Sequence, residues 1–268
     1  MSRPNSRYAA MFERCRANGE GAFGAFLMLG DPTPEGCATY LDALVEGGAD
    51  MVELGIPFSD PVADGPVIQA AASRALGAGV RTAECLRLLT AFRQRHPHVP
   101  VGVLTYANIV AARGTEAFCA ALADAGVDSL LIADVPTIEA EPYAAAAREA
   151  GIDLVMIAAP NTPPAALGRI AELSSGYTYC VARAGVTGAD QQLSLDHGEL
   201  FEQLTQAGAP PSVLGFGIAT PSHVAQAIGS GAAGVISGSA IVRLIEHGSS
   251  PADVAAFVRT MKAGTTAV

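Results

Sequence analysis

Apolar and polar residues follow two rhythms along this chain. Short aliphatic runs recur throughout, and between them lie longer stretches whose apolar positions return every three or four residues. The first rhythm marks buried strands and the second marks amphipathic helices. Four junctions share one grammar, in which a helix ends at glycine and a strand starts shortly after: Gly48-Ala49-Asp50, Gly126-Val127-Asp128, Gly151-Ile152-Asp153 and Gly231-Ala232-Ala233-Gly234. Glycine closes a helix in the left-handed conformation without a Cβ clash. The runs behind these junctions, Met51–Ile56, Leu130–Ala133, Leu154–Ala158 and Val235–Ser237, read as short parallel strands buried on both faces.

Ala25–Leu29, Val101–Tyr106, Tyr177–Ala182 and Val213–Gly215 bring the strands to eight, each followed by a helical stretch. A hydroxyl residue followed by proline marks helix starts at Thr33-Pro34, Thr162-Pro163, Thr220-Pro221 and Ser250-Pro251. The expectation is an α/β fold, a single (β/α)8 TIM barrel with an extra N-terminal helix, forming one domain over residues 1–268. That length suits one barrel, which takes about 250 residues. An open doubly wound sheet shows the same alternation and competes. Its dinucleotide-binding version is weakened because Leu29-Gly30-Asp31-Pro32 follows the first strand where a G-x-G-x-x-G turn belongs.

Composition narrows the classes. Half of the residues are hydrophobic (50%) and 16% are charged, which supports a sizeable core. A net charge of -10 would repel nucleic acid and anionic membrane, and no basic cluster offsets it locally. Neither a signal peptide nor a membrane span is legible. Five dispersed cysteines without a C-x-x-C pair suit a reducing cytoplasm.

Candidate chemistry concentrates after the second predicted strand. In Met51-Val52-Glu53-Leu54-Gly55-Ile56 a carboxylate interrupts an apolar strand, and alternation puts Met51, Glu53 and Gly55 on one face. If the bulkier face meets helices, Glu53 points into the barrel, where desolvation raises its pKa and makes it a general acid or base. The other use for such a group is a structural ion pair, but no arginine stands near a strand centre. Asp60 and Asp64 follow in a proline-stiffened loop at the rim where barrels keep their chemistry, and composition does not choose between them. Gly185-Val186-Thr187-Gly188, Gly215-Phe216-Gly217 and Ser237-Gly238-Ser239 follow the last three predicted strands, the place where barrels bind phosphate through backbone amides and a helix N-terminus. Phe26, Leu104, Tyr106, Leu131, Tyr179 and Phe216 fall near strand ends and could line an apolar pocket for a flat ring.

The run from Val52 to Pro66, Val-Glu-Leu-Gly-Ile-Pro-Phe-Ser-Asp-Pro-Val-Ala-Asp-Gly-Pro, resembles the signature of tryptophan synthase α subunits. The likeness continues in order through Tyr106-Ala107-Asn108, Ala133-Asp134-Val135-Pro136, Gly185-Val186-Thr187-Gly188, Gly215-Phe216-Gly217-Ile218 and Ile236-Ser237-Gly238-Ser239-Ala240. It implies a lyase that performs retro-aldol cleavage of indole-3-glycerol phosphate to indole and D-glyceraldehyde 3-phosphate in L-tryptophan biosynthesis. It also implies that Glu53 and Asp64, rather than Asp60, are the catalytic carboxylates. Phe26, Tyr179, Thr187, Gly188, Phe216, Gly217, Gly238 and Ser239 become substrate-binding residues, with Thr187 on a loop hinged at Gly185 and Gly188. The family's partner is a β subunit carrying pyridoxal phosphate in an α2β2 heterotetramer, faced here by Asp60, Pro61, Asn108 and Pro136, and no cofactor is expected in this chain. Ala25 and Met28 depart from the common proline and threonine of the first strand. A stand-alone indole-3-glycerol-phosphate lyase, and a catalytically quiet activating subunit, are the alternatives.

Two other routes to carbon–carbon cleavage fail on residue supply. A Schiff-base aldolase needs a lysine inside the barrel, and the one lysine, Lys262, lies in the terminal helix. A metal aldolase needs clustered ligands, whereas His96, His98, His197, His223 and His247 scatter over predicted loops and helices, so no metal site is expected.

Overall fold

The computed structural model describes residues 6–181 and 197–266. The chain enters through α1 (Arg7–Ala17) and then alternates: β1 (Ala22–Met28), α2 (Pro34–Glu46), β2 (Met51–Gly55), α3 (Pro66–Gly77), α4 (Thr82–Arg95), β3 (Val101–Thr105), α5 (Ala107–Arg113), α6 (Thr115–Asp124) and β4 (Ser129–Ile132). It continues through α7 (Glu141–Ala150), β5 (Asp153–Leu154), β6 (Ile157–Ala158), α8 (Pro164–Leu173), β7 (Thr178–Cys180), α9 (Gly198–Gln206), β8 (Ser212–Leu214), α10 (Pro221–Gly229), β9 (Gly234–Ser237), α11 (Ser239–Glu246) and α12 (Pro251–Ala263).

All strand pairs are parallel, in the order β5-β4-β3-β2-β1-β9-β8-β7-β6. The two ends of that order are one stretch of chain, and this closes the barrel. The expected single strand Leu154–Ala158 is therefore corrected to two two-residue pieces. Val155 donates its N–H to Leu130 O on one side (2.9 Å), and Met156 O accepts from Tyr179 N on the other (3.0 Å). Successive residues serve different neighbours, so no run is long enough to pair with both.

The junction glycines behave as their grammar requires: Gly48, Gly126, Gly151 and Gly231 have φ of +95°, +81°, +80° and +102°. The aspartates behind two of them tie the lower ends of the strands together. Asp50 accepts from Phe23 N (2.8 Å) and pairs with Arg14 and Lys262. Asp128 accepts from Val101 N (2.8 Å) and pairs with Arg7 and Arg93. These pairs fasten α1 across the barrel floor, where Tyr8, Met11, Phe12 and Cys15 are buried. Three predicted helix caps form, at Thr33, Thr220 and Ser250, the last as a capping box with Asp253. The fourth is corrected: α8 begins at Pro164 with Pro163 in the cap position, and the Thr162 hydroxyl accepts from Ala159 N instead. Among the described residues no helix is long and apolar enough to cross a membrane.

Candidate active site

A cavity of about 720 Å³ opens at the carboxyl ends of the strands. Alternation on β1 and β2 decides what faces it. Phe26 and Glu53 are register partners and both line the cavity, whereas Val52 and Leu54 are buried on the helix side. Gly102 is the next register partner of Glu53 on β3, and its missing side chain leaves room for hydroxyls: a Cβ there would lie 2.9 Å from Ser129 Oγ and 3.2 Å from Tyr8 Oη.

Glu53 is 2% exposed. Its Oε1 accepts a hydrogen bond from the Tyr177 hydroxyl (2.9 Å), and its Oε2 is buried without a partner. Tyr177 stacks at a tilt on Tyr8 (centroids 5.2 Å apart), whose hydroxyl lies 2.8 Å from Ser129 Oγ. Burial drives the Glu53 pKa from its ordinary 4.5 up to about 7, the Tyr177 hydrogen bond pulls it down and the charge of Asp64 adds a smaller push upward. No ion pair engages Glu53 among the described residues, so the structural use of a strand carboxylate is not the one found here.

Asp64 sits on the loop between β2 and α3 and also lines the cavity. Burial raises its pKa from 3.8 to about 6, against the lowering effect of a hydrogen bond with the Tyr106 hydroxyl. Tyr106 follows β3, stacks on Phe58 (centroids 5.2 Å apart) and also receives Ala63 N–H (3.3 Å), which fixes the loop that carries Asp64. Asp60 is exposed, bonded to the neighbouring Ser59 hydroxyl, and does not reach the cavity.

The apolar walls match the sequence expectation in five places, since Phe26, Leu104, Leu131, Tyr179 and Phe216 all line the cavity. Tyr106 is the correction: it stands behind Asp64 as its hydrogen-bond partner rather than in the wall. Tyr179 is clamped by its hydroxyl to Gly215 O (2.7 Å), an approach that only glycine permits, because a Cβ at position 215 would lie 2.0 Å from the Tyr179 ring.

Where the loops after β8 and β9 line the cavity, the wall changes character. Gly217, Gly238 and Ser239 lie together there, with Gly217 at φ +78° and Ser239 opening α11. The first amides of that helix have no intrahelical acceptor and present partial positive charge to an anion. Thr187 and Gly188, with the Gly185 hinge, lie outside the described residues. Ala25 alternates with Phe26 and is fully buried away from the cavity, and Met28 packs over Gly55 without reaching the lining, so neither departure touches the site.

Three residues escaped the sequence reading. Tyr177 had a signal, since it stands two positions before Tyr179 on the same strand face. Arg243, four residues after Ser239 on one helix face, had another. His223, weighed from sequence only as a metal ligand, lines the cavity with its Nδ1 3.0 Å from Gly217 O. Among the described residues no three of His, Cys, Asp and Glu converge as metal ligands.

Comparison with known proteins finds likeness over nearly the full chain. The profile of the family described as tryptophan synthase alpha chain matches residues 12–266. The tryptophan synthase alpha chain of Shewanella oneidensis is 50% identical over 265 residues, covering 97% of this chain and 95% of the relative. That of Klebsiella pneumoniae is 49% identical over 264 residues, covering 97% and 98%. Among solved structures, tryptophan synthase of Mycobacterium tuberculosis superposes with a TM-score of 0.89 at 34% identity, covering 99% of this chain and 100% of that one.

Proposed function

The chain belongs to the tryptophan synthase alpha chain family, and from that premise we propose how its cavity divides the work. The reaction is cleavage of indole-3-glycerol phosphate to indole and D-glyceraldehyde 3-phosphate in L-tryptophan biosynthesis, a lyase reaction for which the family needs no cofactor of its own. Glu53 moves protons, Asp64 steadies the ring, and the amides around Gly217, Gly238 and Ser239 hold the phosphate. Phe26, Tyr179 and Phe216 sandwich the indole, and Thr187 and Gly188 belong to the same substrate-binding set.

The chemistry sets what each group must do. Breaking the bond between indole C3 and the glycerol chain leaves an electron pair on C3, so C3 must gain a proton while the adjacent glycerol hydroxyl loses one to become the aldehyde. A protonated Glu53 delivers its proton to C3, and the carboxylate thus formed takes the hydroxyl proton as the carbon–carbon bond breaks, which restores the acid. Protons balance without an external donor. Between these transfers the ring is cationic, and an ionised Asp64 accepts the indole N–H and offsets that charge. The observation that carries this assignment is the pairing of two carboxyls in one apolar cavity, with pKa values of about 7 and about 6. At neutral pH the higher one is still substantially an acid while the lower one is largely a base, as the two roles require.

The family implies a β-chain partner. We place it on the rim, in an α2β2 assembly, where Asp60, Asn108 and Pro136 are exposed together with Val62 (69%) and Ile138 (86%); pyridoxal phosphate belongs to that partner. The same reading takes residues 1–268 as one barrel domain working in the cytoplasm, to which its five free, buried cysteines are suited. The test is indole release by the purified chain, alone and with a β chain, for the wild type, Glu53→Gln and Asp64→Asn. Loss of turnover in both variants with the fold retained is expected. Full activity in Glu53→Gln overturns the assignment.

A further inference from the structure

We propose that Arg243 is a specificity-determining residue that supplies the fixed positive charge for the substrate phosphate, a role that rests on the proposed function. The phosphate end offers backbone amides, yet the same cavity holds Glu53 and Asp64 in a chain of net charge -10. A helix N-terminus contributes the equivalent of about half an elementary charge. Against an ionised Asp64 and a phosphate dianion, that is a weak counterweight.

Arg243 is the one arginine or lysine in the described cavity lining. It stands four residues after Ser239 in α11, so both lie on one helix face while Ile241, Val242 and Ile245 pack inward. Its natural neutraliser, Glu246 at i+3, is taken by Arg74 (2.9 Å), which also holds Asp31 in a two-pronged bond (2.7 and 2.9 Å). Arg243 is thus left without an acid among the described residues, exposed at the edge of the cavity. His223 stands in the same end, anchored through Nδ1 to the Gly217 loop, and positions that loop. The cavity is consequently polarised, with carboxyls toward the ring and a guanidinium toward the phosphate. A neutral indole joined to an anionic tail enters in one orientation, and an indole-glycerol without phosphate loses its anchor.

The test compares wild type, Arg243→Gln and Arg243→Lys. Because the side chain is exposed and makes no ion pair among the described residues, each variant keeps the fold, checked by circular dichroism. For Arg243→Gln, KM for indole-3-glycerol phosphate rises about five- to tenfold with kcat within twofold, as expected for one partly exposed charge-assisted contact. Binding of inorganic phosphate and glycerol 3-phosphate, measured by calorimetry, weakens by the same factor while indole binding is unchanged, and Arg243→Lys recovers most of both. Unchanged phosphate binding in Arg243→Gln overturns the proposal, as does weakening of indole and phosphate alike. The calorimetric arm reads out even in a chain that released no indole, so failure here and failure of the proposed reaction are distinguishable.

Discussion

Replacing Glu53 by glutamine should abolish turnover and, in the same protein, change how stability depends on pH. The carboxyl is 2% exposed and its pKa moves from 4.5 to about 7 on folding. The folded state therefore holds its proton more tightly than the unfolded state, and stability falls as pH rises through the interval between those two values. At about 1.36 kcal/mol per pKa unit, the native state bears a penalty of roughly 3 kcal/mol by pH 8 and under about 1 kcal/mol at pH 5. Glutamine carries none of this. Its amide keeps an oxygen for the Tyr177 hydroxyl but puts N–H groups where Oε2 now lacks a partner, a cost of about 1–3 kcal/mol that is the same at every pH. The quantity to measure is accordingly the difference in unfolding free energy between variant and wild type, from urea titrations followed by circular dichroism at pH 5 and pH 8. It should shift in favour of the variant by about 2–3 kcal/mol across that interval, whatever its absolute value. A difference that stays constant within about 1 kcal/mol would refute the claim that burial holds this carboxyl in its acid form.

The dependence of kcat/KM on pH should be a narrow bell, rising as Asp64 ionises near 6 and falling as Glu53 loses its proton near 7. Tyr177→Phe removes a hydrogen bond that lowers the Glu53 pKa, so the falling limb alone moves up, by about one unit. Tyr106→Phe does the same for Asp64 and moves the rising limb up; ionisation of the substrate phosphate cannot follow either mutation, so motionless limbs in both variants would count against the assigned roles. Gly215→Ala drives a Cβ to 2.0 Å from the Tyr179 ring and breaks the clamp on Gly215 O; it should raise KM at least tenfold with the barrel still folded, and unaltered kinetics would mean that Tyr179 does not hold the ring. Val62→Asp with Ile138→Asp should leave activity of the isolated chain intact but reduce stimulation by a β chain at least tenfold, read by titrating the partner into an indole-release assay.

Much of the fold was legible because its punctuation is local. A positive-φ glycine, a hydroxyl cap and a buried aliphatic run each announce themselves within a few residues, and the inward face of β2 followed from alternation alone. The closure was not legible, because Leu154–Ala158 looks like one strand until the positions of β4 and β7 divide its hydrogen bonds between them. The candidate site divides along the same line. Glu53 stood out as a charge in an apolar run, but the choice of Asp64 over Asp60 depends on where the loop places each, and sequence resolved it only through family likeness. Tyr177 donates to Glu53 across 124 positions of chain, and Glu246, the acid three residues after Arg243, is engaged by Arg74 from another helix, which leaves Arg243 without an acid among the described residues. Such long-range partnerships leave no local mark.

The barrel floor has a consequence for the other end of the molecule. The reaction liberates an aldehyde, and aldehydes condense with free amines. Lys262, the chain's only lysine, lies beneath the strands with Nζ against Asp50 (2.8 Å), Glu20 (3.0 Å) and Gly21 O (3.1 Å). Burial pulls its pKa down, but the hydrogen bond and charge of Asp50 outweigh that and hold it above 10.5. The one side-chain amine that glyceraldehyde 3-phosphate could trap as an imine is thus kept protonated, on the floor rather than at the mouth through which the product leaves. Arginine at the phosphate end serves the anion without offering an amine to the aldehyde, so the barrel is protected from its own product by the choice of which cation stands where.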